Sequence, residues 1–198
     1  NVNRMNIGIS EKSRFLQVFE LTFDLSVFSY LIPLLNGASV FTVPKTSFLQ
    51  MAAIQLIEEQ KITHILTVPS FANHLKPLFA KIKLPSVTNW LFCGEALKSD
   101  LVAAWQNCIP EATIYNVYGP TEATIFCTSY LCDKTNVKNH HGITCIGKPF
   151  EGTEFELFEA DERITGFYTA AELFISGSQL TPGYLHDPEK NKNAFLNH

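Results

Sequence analysis

No stretch of this sequence approaches the roughly 18 consecutive apolar residues that a helix needs to cross a bilayer. Residues 1–10 also lack the charged-then-apolar order of a secretory leader. Cysteines at metal or redox spacing are missing too. The five present, Cys93, Cys108, Cys127, Cys132 and Cys145, never form Cys-x-x-Cys and mostly sit in apolar runs, the pattern of reduced core thiols in an intracellular compartment. Basic charge is scarce as well. With 15 Lys and Arg scattered among 19 Asp and Glu, for a net charge of −4, there is no basic stripe to follow a phosphate backbone, so nucleic acid is not an expected partner. No internal repeat or low-complexity segment is found. These absences leave a soluble, cytoplasmic, globular protein as the expectation.

What is present is ample core material. At 198 residues, 46% hydrophobic and 12% aromatic, the chain suits one domain, or one domain with a smaller subdomain. From Ala38 onward, short β-branched runs alternate with helical patterns about a dozen residues long, the signature of βαβ units and a parallel sheet. Strands are predicted at 38–43, 64–68, 90–94 and 113–119. Helices are predicted at 48–60, at 70–81 with Pro77 kinking or shortening it, and at 99–108 with Ser99 as N-cap. After about Asn139 the texture changes. Residues 154–160 and 171–177 alternate in the strand manner with no long helix between them. The predicted fold is therefore α/β: a mainly parallel sheet flanked by helices over residues 1–138, joined through a polar linker at 133–141 to a small β-rich subdomain over 139–198. The strands deliver their C-terminal ends to loops carrying Thr67, Gly94 and Tyr118, the edge where open α/β sheets bind ligands.

Two segments imitate functional motifs. Residues 142–148 (GITCIGK) share the spacing of a phosphate-binding loop, but Pro149 stands where a magnesium-binding hydroxyl belongs, and Ile143, Thr144, Cys145 and Ile146 are strand formers. The His140–His141 pair has no Cys, Asp or Glu at ligand spacing and reads as a solvated loop.

The segment NVYGPTEAT (116–124) is different. A strand meets Gly-Pro, turns, and presents Thr121 and Glu122 at the start of a short helical turn whose backbone amides favour an anion. Tyr118 offers an aromatic face for a base, Thr121 a hydroxyl near phosphate oxygens, and Glu122 a carboxylate for a hard cation. On these grounds two readings stay open: an ATP-magnesium site, or an ordinary strand-to-helix turn with Thr121 as cap. Asp24, in TFDLSVF (22–28), is similarly either a helix N-cap before residues 26–35 or a partly buried carboxylate that needs a cation.

The string YGPTEAT closely resembles the nucleotide-binding signature of amino-acid-activating adenylation domains, as in nonribosomal peptide synthetases and D-alanine:carrier-protein ligases, within the adenylate-forming superfamily. TFDLSVF, LFCGEAL (91–97), IGKP (146–149) and AELFISGSQLTPGYLHDPEKNKNAF (171–195), with Gly183-Tyr184, resemble further segments of that family in the same order. Ala171 departs from the family's usual glycine. The resemblance implies that Asp24 pairs with a substrate ammonium. It further implies that Gly94, Glu95, Ala96, Asn116, Tyr118, Gly119 and Thr121 hold ATP, with the Gly-Glu-Ala backbone and Tyr118 as opposite walls of the adenine slot. Thr121 and Glu122 are the implied catalytic residues, and Glu122 the implied ligand of Mg2+.

Substrate selectivity in that family falls, by motif, on Leu25, Phe28, Thr67, Leu91, Cys93, Val117, Ile125 and Phe126. This lining is mainly apolar and suits a small or medium neutral side chain. The Phe-Asp-Leu-Ser and Phe-Cys-Gly-Glu strings favour D-alanine. The implied reaction joins an amino acid to ATP as an aminoacyl-adenylate, followed by transfer to a carrier-protein thiol. An acyl- or aryl-CoA synthetase of the same superfamily would have no use for Asp24, and a non-catalytic remnant would need neither Thr121 nor Glu122. The family's phosphate loop, its ribose-binding aspartate and its C-terminal domain with a catalytic lysine have no counterpart in the sequence. The chain is therefore expected to be an incomplete portion of a larger domain and a poor catalyst alone.

Overall fold

The computed structural model describes Met5 and residues 7–160, 162–165 and 170–196. The described elements run β1 (Arg14–Gln17), α1 (Asp24–Leu35), β2 (Ser39–Thr42), α2 (Leu49–Gln60), β3 (His64–Thr67), α3 (Pro69–His74), β4 (Asn89–Phe92), α4 (Ser99–Gln106), β5 (Thr113–Tyr118) and β6 (Thr128–Cys132). They continue with β7 (Asn139–His140), β8 (Ile143–Thr144), β9 (Lys148–Pro149), β10 (Thr153–Glu159), β11 (Glu162–Arg163), β12 (Glu172–Gly177) and α5 (Pro188–Ala194). A seven-stranded sheet has the order β2-β1-β3-β4-β5-β6-β9. Pairing is parallel from β2 to β5 and antiparallel from β5 to β9. A three-stranded antiparallel sheet, β11-β10-β12, follows.

The central strands are buried at nearly every position because both faces of the sheet are covered. Every residue of β3 and β4 is buried. Successive side chains point to opposite faces, and the two faces build two cores. Ile65, Trp90, Phe92 and Ile114 join α2, α3 and α4 through Ile54, Ile57, Phe71, Leu101 and Trp105. Leu66, Leu91, Cys93, Tyr115 and Val117 join α1 through Leu25 and Phe28. The first core centres on Trp90, which meets Trp105 edge-on with ring centroids 4.8 Å apart. Its indole Nε1–H donates to Thr67 Oγ1 at 3.0 Å.

Several local expectations are revised. The helix around Pro77 is cut short: α3 ends at His74 and a 3-10 turn covers Lys76–Leu78. Ser99 is the first helical residue rather than the cap. Lys98 holds the cap position, and the Ser99 hydroxyl donates to the Gly142 carbonyl at 3.3 Å. Helix α1 starts at Asp24 with Phe23 at its cap, so Asp24 is not an N-cap. The segment 139–149 is not yet part of the second sheet. His141 and Gly142, with φ of 47° and 79°, form the two-residue turn of the β7–β8 hairpin, as a type I′ turn demands. Lys148 and Pro149 then extend the large sheet. The change of sheet falls between Pro149 and Thr153, later than the texture at residue 139 implied. The last residues of the stretch, 197–198, lie outside the described residues.

His64 in β3 is 3% exposed, and its ring stacks on Phe15 with centroids 4.6 Å apart. Nε2–H donates to the Ile7 carbonyl at 2.6 Å, and Nδ1 accepts from Thr63 Oγ1 at 2.7 Å. This bonding satisfies a neutral ring, and burial depresses its pKa, only partly opposed by the Ile7 bond. The unfolded chain therefore binds a proton that the folded one refuses. Stability contributed by this site is full above the ordinary imidazole value of about 6.5 and falls as pH drops below it. Urea denaturation of the protein from pH 7.5 to 5.5 is expected to show that decline, with a shallower one in His64→Gln.

Candidate active site

The chain reverses direction immediately after β5. Gly119 stands where the two limbs of the reversal touch. A Cβ built there would lie 2.3 Å from Phe126 Cα and 2.9 Å from the Cys127 nitrogen, so no other residue fits. The Cys127 N–H donates to the Tyr118 carbonyl at 2.8 Å and closes the loop. Inside the loop, Thr121–Ala123 form one 3-10 turn with Pro120 at its cap and no side-chain capping bond. Thr121 therefore does not serve as a cap, and its side chain stays exposed. Thr124 and Ile125 both have positive φ, 58° and 72°. The Phe126 N–H donates back to the Thr124 carbonyl at 3.0 Å, giving a tight γ-type turn around Ile125. A β-branched residue in this region is strained, at a cost of about 1–3 kcal/mol.

Beside the loop lies a cavity of about 380 Å³. One wall is Gly94, Glu95 and Ala96, another is Asn116, Val117, Tyr118 and Gly119, and the third is Ile143, Thr144 and Ile146. Gly94 has φ of +87°, which lets the chain after β4 turn flat along the cavity. The Glu95 carboxylate does not enter it. Both oxygens are held at 2.8 Å by the Ser70 amide and hydroxyl at the start of α3, so the 94–96 backbone is what faces the cavity. Asn116 donates through Nδ2 to the Cys145 carbonyl at 3.0 Å, fixing the third wall. Sequence reasoning missed that third wall. Residues 142–148, set aside as a false phosphate loop, contain strand β8 and the start of β9, yet Ile143, Thr144 and Ile146 complete the cavity.

Tyr118 and Pro120 line both this slot and a second cavity of about 500 Å³, to which Glu122 and Tyr184 also contribute. The Tyr184 hydroxyl donates to Glu122 Oε1. That bond, with the Glu122 backbone amide and Lys190, holds the carboxyl below its ordinary pKa despite some burial. The same bond raises the Tyr184 phenol. Glu122 is thus an ionised carboxylate at neutral pH, a fit donor for a hard cation. No group of three His, Cys, Asp or Glu that could hold a metal occurs among the described residues. Mg2+ would therefore rely on Glu122 together with phosphate oxygens, its usual mode of binding.

On the α1 side of the sheet, Leu25, Phe28, Leu91, Cys93, Val117 and Phe126 are buried together, with Ile125 packed against them. Phe28 and Phe126 rings lie 5.3 Å apart. Asp24 opens α1 beside this cluster. The Cys93 thiol is pushed up to about 12, mainly by burial, against a Gly94 backbone bond that lowers it, with the Asp24 charge adding to the rise. No cation pairs with Asp24 among the described residues. Thr67 does not join the set. Its side chain lies on the other face, bonded to Trp90 in the first core. Its neighbours Leu66 and Val68 face the cluster instead, and Val68 Cγ1 and Leu25 Cδ1 lie 3.5 and 3.7 Å from a Cβ placed on Gly94. The period of two along β3 was the signal that could have assigned them.

The AMP-binding enzyme family matches residues 1–185. The chain belongs to that family. Among its relatives, a D-alanine–D-alanyl carrier protein ligase of Lacticaseibacillus casei (strain BL23) is 31% identical over 204 residues, spanning 100% of this chain and 39% of the ligase. Gramicidin S synthase 1 of Brevibacillus brevis is 29% identical over 192 residues, or 96% of this chain and 17% of the synthase. The crystal structure of the Vibrio cholerae adenylation domain AlmE, in complex with glycyl-adenosine-5'-phosphate, superposes with a TM-score of 0.85 at 30% identity, covering 100% of this chain and 38% of that one. The chain thus spans less than half of each relative, and the fold is that of an adenylation domain's mainly parallel sheet with a small β-rich part after it. No helix among the described residues is long and apolar enough to cross a membrane.

The Tyr184–Glu122 bond is open to a direct test. Tyr184→Phe removes the donor that lowers Glu122, so the carboxyl should titrate closer to its ordinary range, read from its 13C chemical shift against pH. The share of stability linked to Glu122 is present above the ordinary carboxylate value and lost as pH falls through the lowered one. The variant should narrow that window from below.

Proposed function

We propose that this chain carries the substrate and nucleotide sites of an enzyme that activates a small neutral amino acid with ATP, D-alanine first among the candidates. The observation that carries the reading is Asp24: a half-buried carboxylate without a cationic partner among the described residues, set beside an apolar cluster at the sheet edge that also bears the nucleotide slot. An apolar pocket with one uncompensated carboxylate at its mouth suits a ligand with an ammonium and a short uncharged side chain. The names of the relatives agree: one ligates D-alanine to a carrier protein, and another was crystallised with a glycyl adenylate.

In the reaction, a carboxylate oxygen of the amino acid attacks the α-phosphorus of ATP. The bond from that phosphorus to the bridging oxygen breaks, and pyrophosphate leaves with the electron pair. Asp24 holds the ammonium, and Tyr118 with the 94–96 backbone holds the adenine, so both reactants meet with little freedom left to lose. Thr121 presents its hydroxyl to the phosphates. Glu122 would hold Mg2+, which supplies neutralisation of the phosphate charge as it redistributes. A carrier-protein thiol then attacks the acyl carbon and AMP departs.

ATP–pyrophosphate exchange with the complete protein, run against the twenty amino acids and D-alanine, tests this. Exchange should be driven by one small neutral amino acid, and Asp24→Ala should lower it about a hundredfold or more, because an ammonium would lose its half-buried carboxylate partner. Exchange only with simple carboxylic acids would point to a CoA ligase and overturn the reading. No exchange with any acid would leave a non-catalytic member of the family.

A further inference from the structure

The segment that bends the loop into its strained form is tied down from outside it. After β12, residues 178–184 run alongside the loop and bond to it repeatedly. Gln179 is the centre of this contact. Its Nε2 donates to the carbonyls of Ala123 and Phe126, both at 3.2 Å, with a weaker third approach to Thr124 at 3.5 Å. Its own backbone carbonyl accepts from Thr124 Oγ1 at 2.6 Å. Two residues on, the Thr181 N–H donates to the Glu122 carbonyl at 2.7 Å. An amide whose donors converge on carbonyls from both sides of Thr124 and Ile125 holds closed a turn that those residues disfavour by themselves.

Two consequences follow from where that turn sits. Ile125 and Phe126 pack into the cluster with Leu25 and Phe28, so any opening of the turn moves side chains of the cluster that the proposed function takes as the substrate pocket. The nucleotide slot is held by other means: Gly119 and the Tyr118–Cys127 bond on one wall, and Asn116 on Cys145 on another. We infer that Gln179, a residue of the segment leading out of the small sheet, is a positioning residue that sets the shape of the substrate pocket by clamping Ala123–Phe126, and leaves the nucleotide slot unaffected. The inference rests on the proposed amino-acid activation for its functional consequence but not for its structural one.

Gln179→Leu keeps the bulk and deletes the donor. Gln179→Glu keeps the shape and turns an acceptor toward the carbonyls. In the complete protein, both should raise KM for the favoured amino acid about tenfold, the worth of a lost hydrogen bond, and narrow the preference between it and larger neutral amino acids. KM for ATP should stay within about twofold. A purely structural role would change both KM values together or reduce only the active fraction, and either result, like no change at all, would overturn the assignment. Amide hydrogen exchange at Phe126 and Cys127 gives a second reading that needs no activity. Gln179→Leu should speed exchange at Phe126, whose N–H closes the turn, and leave Cys127 protected. If the wild type activates no amino acid, the proposed function fails while this pattern still supports the clamp; unchanged protection at Phe126 would sink the clamp whatever the activity.

Discussion

The close approach of two backbones at Gly119 is the constraint on which the site depends. Strand β5 must end, turn, and return as β6 with the Tyr118 and Cys127 peptides bonded across the gap, and the gap admits no side chain. Because the return is this tight, one short reversal presents a ring to the slot at Tyr118, a carboxylate at Glu122, and two apolar side chains, Ile125 and Phe126, to the opposite face. A wider turn would separate these groups. The cost appears as positive φ at Thr124 and Ile125, and it is met by bonds from the segment after β12, chiefly those of Gln179 and Thr181.

The sheet supplies the rest by symmetry of burial. With helices on both faces, each central strand feeds one core that is only structural and another that lies under α1 and opens toward the ligand edge. Trp90, Phe92 and Ile114 belong to the first, and Leu91, Cys93 and Val117 to the second. A side chain's role therefore turns on its parity along the strand as much as on its type. Thr67, with a hydroxyl and a place at the end of β3, has the chemistry of a pocket residue but the parity of a core residue, and its bond to Trp90 follows from that.

Much of this was legible in the sequence because it is written in local patterns. The βαβ alternation, the break at Pro77, the strand character of Ile143 and Thr144, and the turn at Gly119-Pro120 all arise within a few residues of chain. What was not legible depends on residues far apart. Nothing near Ser99 shows that the β7–β8 turn will take its hydroxyl. The bond from Tyr184 to Glu122 joins positions 62 apart, and those of Gln179 to the loop join positions 53 to 56 apart. Residues 143–146 became a wall of the slot only through the hairpin that places them against Asn116. Motif resemblance singled out Asp24, Tyr118 and Glu122 as candidates, since such side chains are recognised by their flanking strings, but it had no means to find Leu66, Val68 or Gln179.

The central claim is that one edge of the sheet holds an ammonium at Asp24 and an adenine between the 94–96 backbone and Tyr118. A crystal structure of the complete protein with a non-hydrolysable sulfamoyl analogue of alanyl-adenylate tests it in one experiment. The account predicts the ammonium within about 3 Å of the Asp24 carboxylate, the methyl group against Phe28 and Phe126, and the purine stacked on Tyr118. An analogue bound with its ammonium away from Asp24, or with its base outside the slot that Asn116 and Ile146 border, would contradict it.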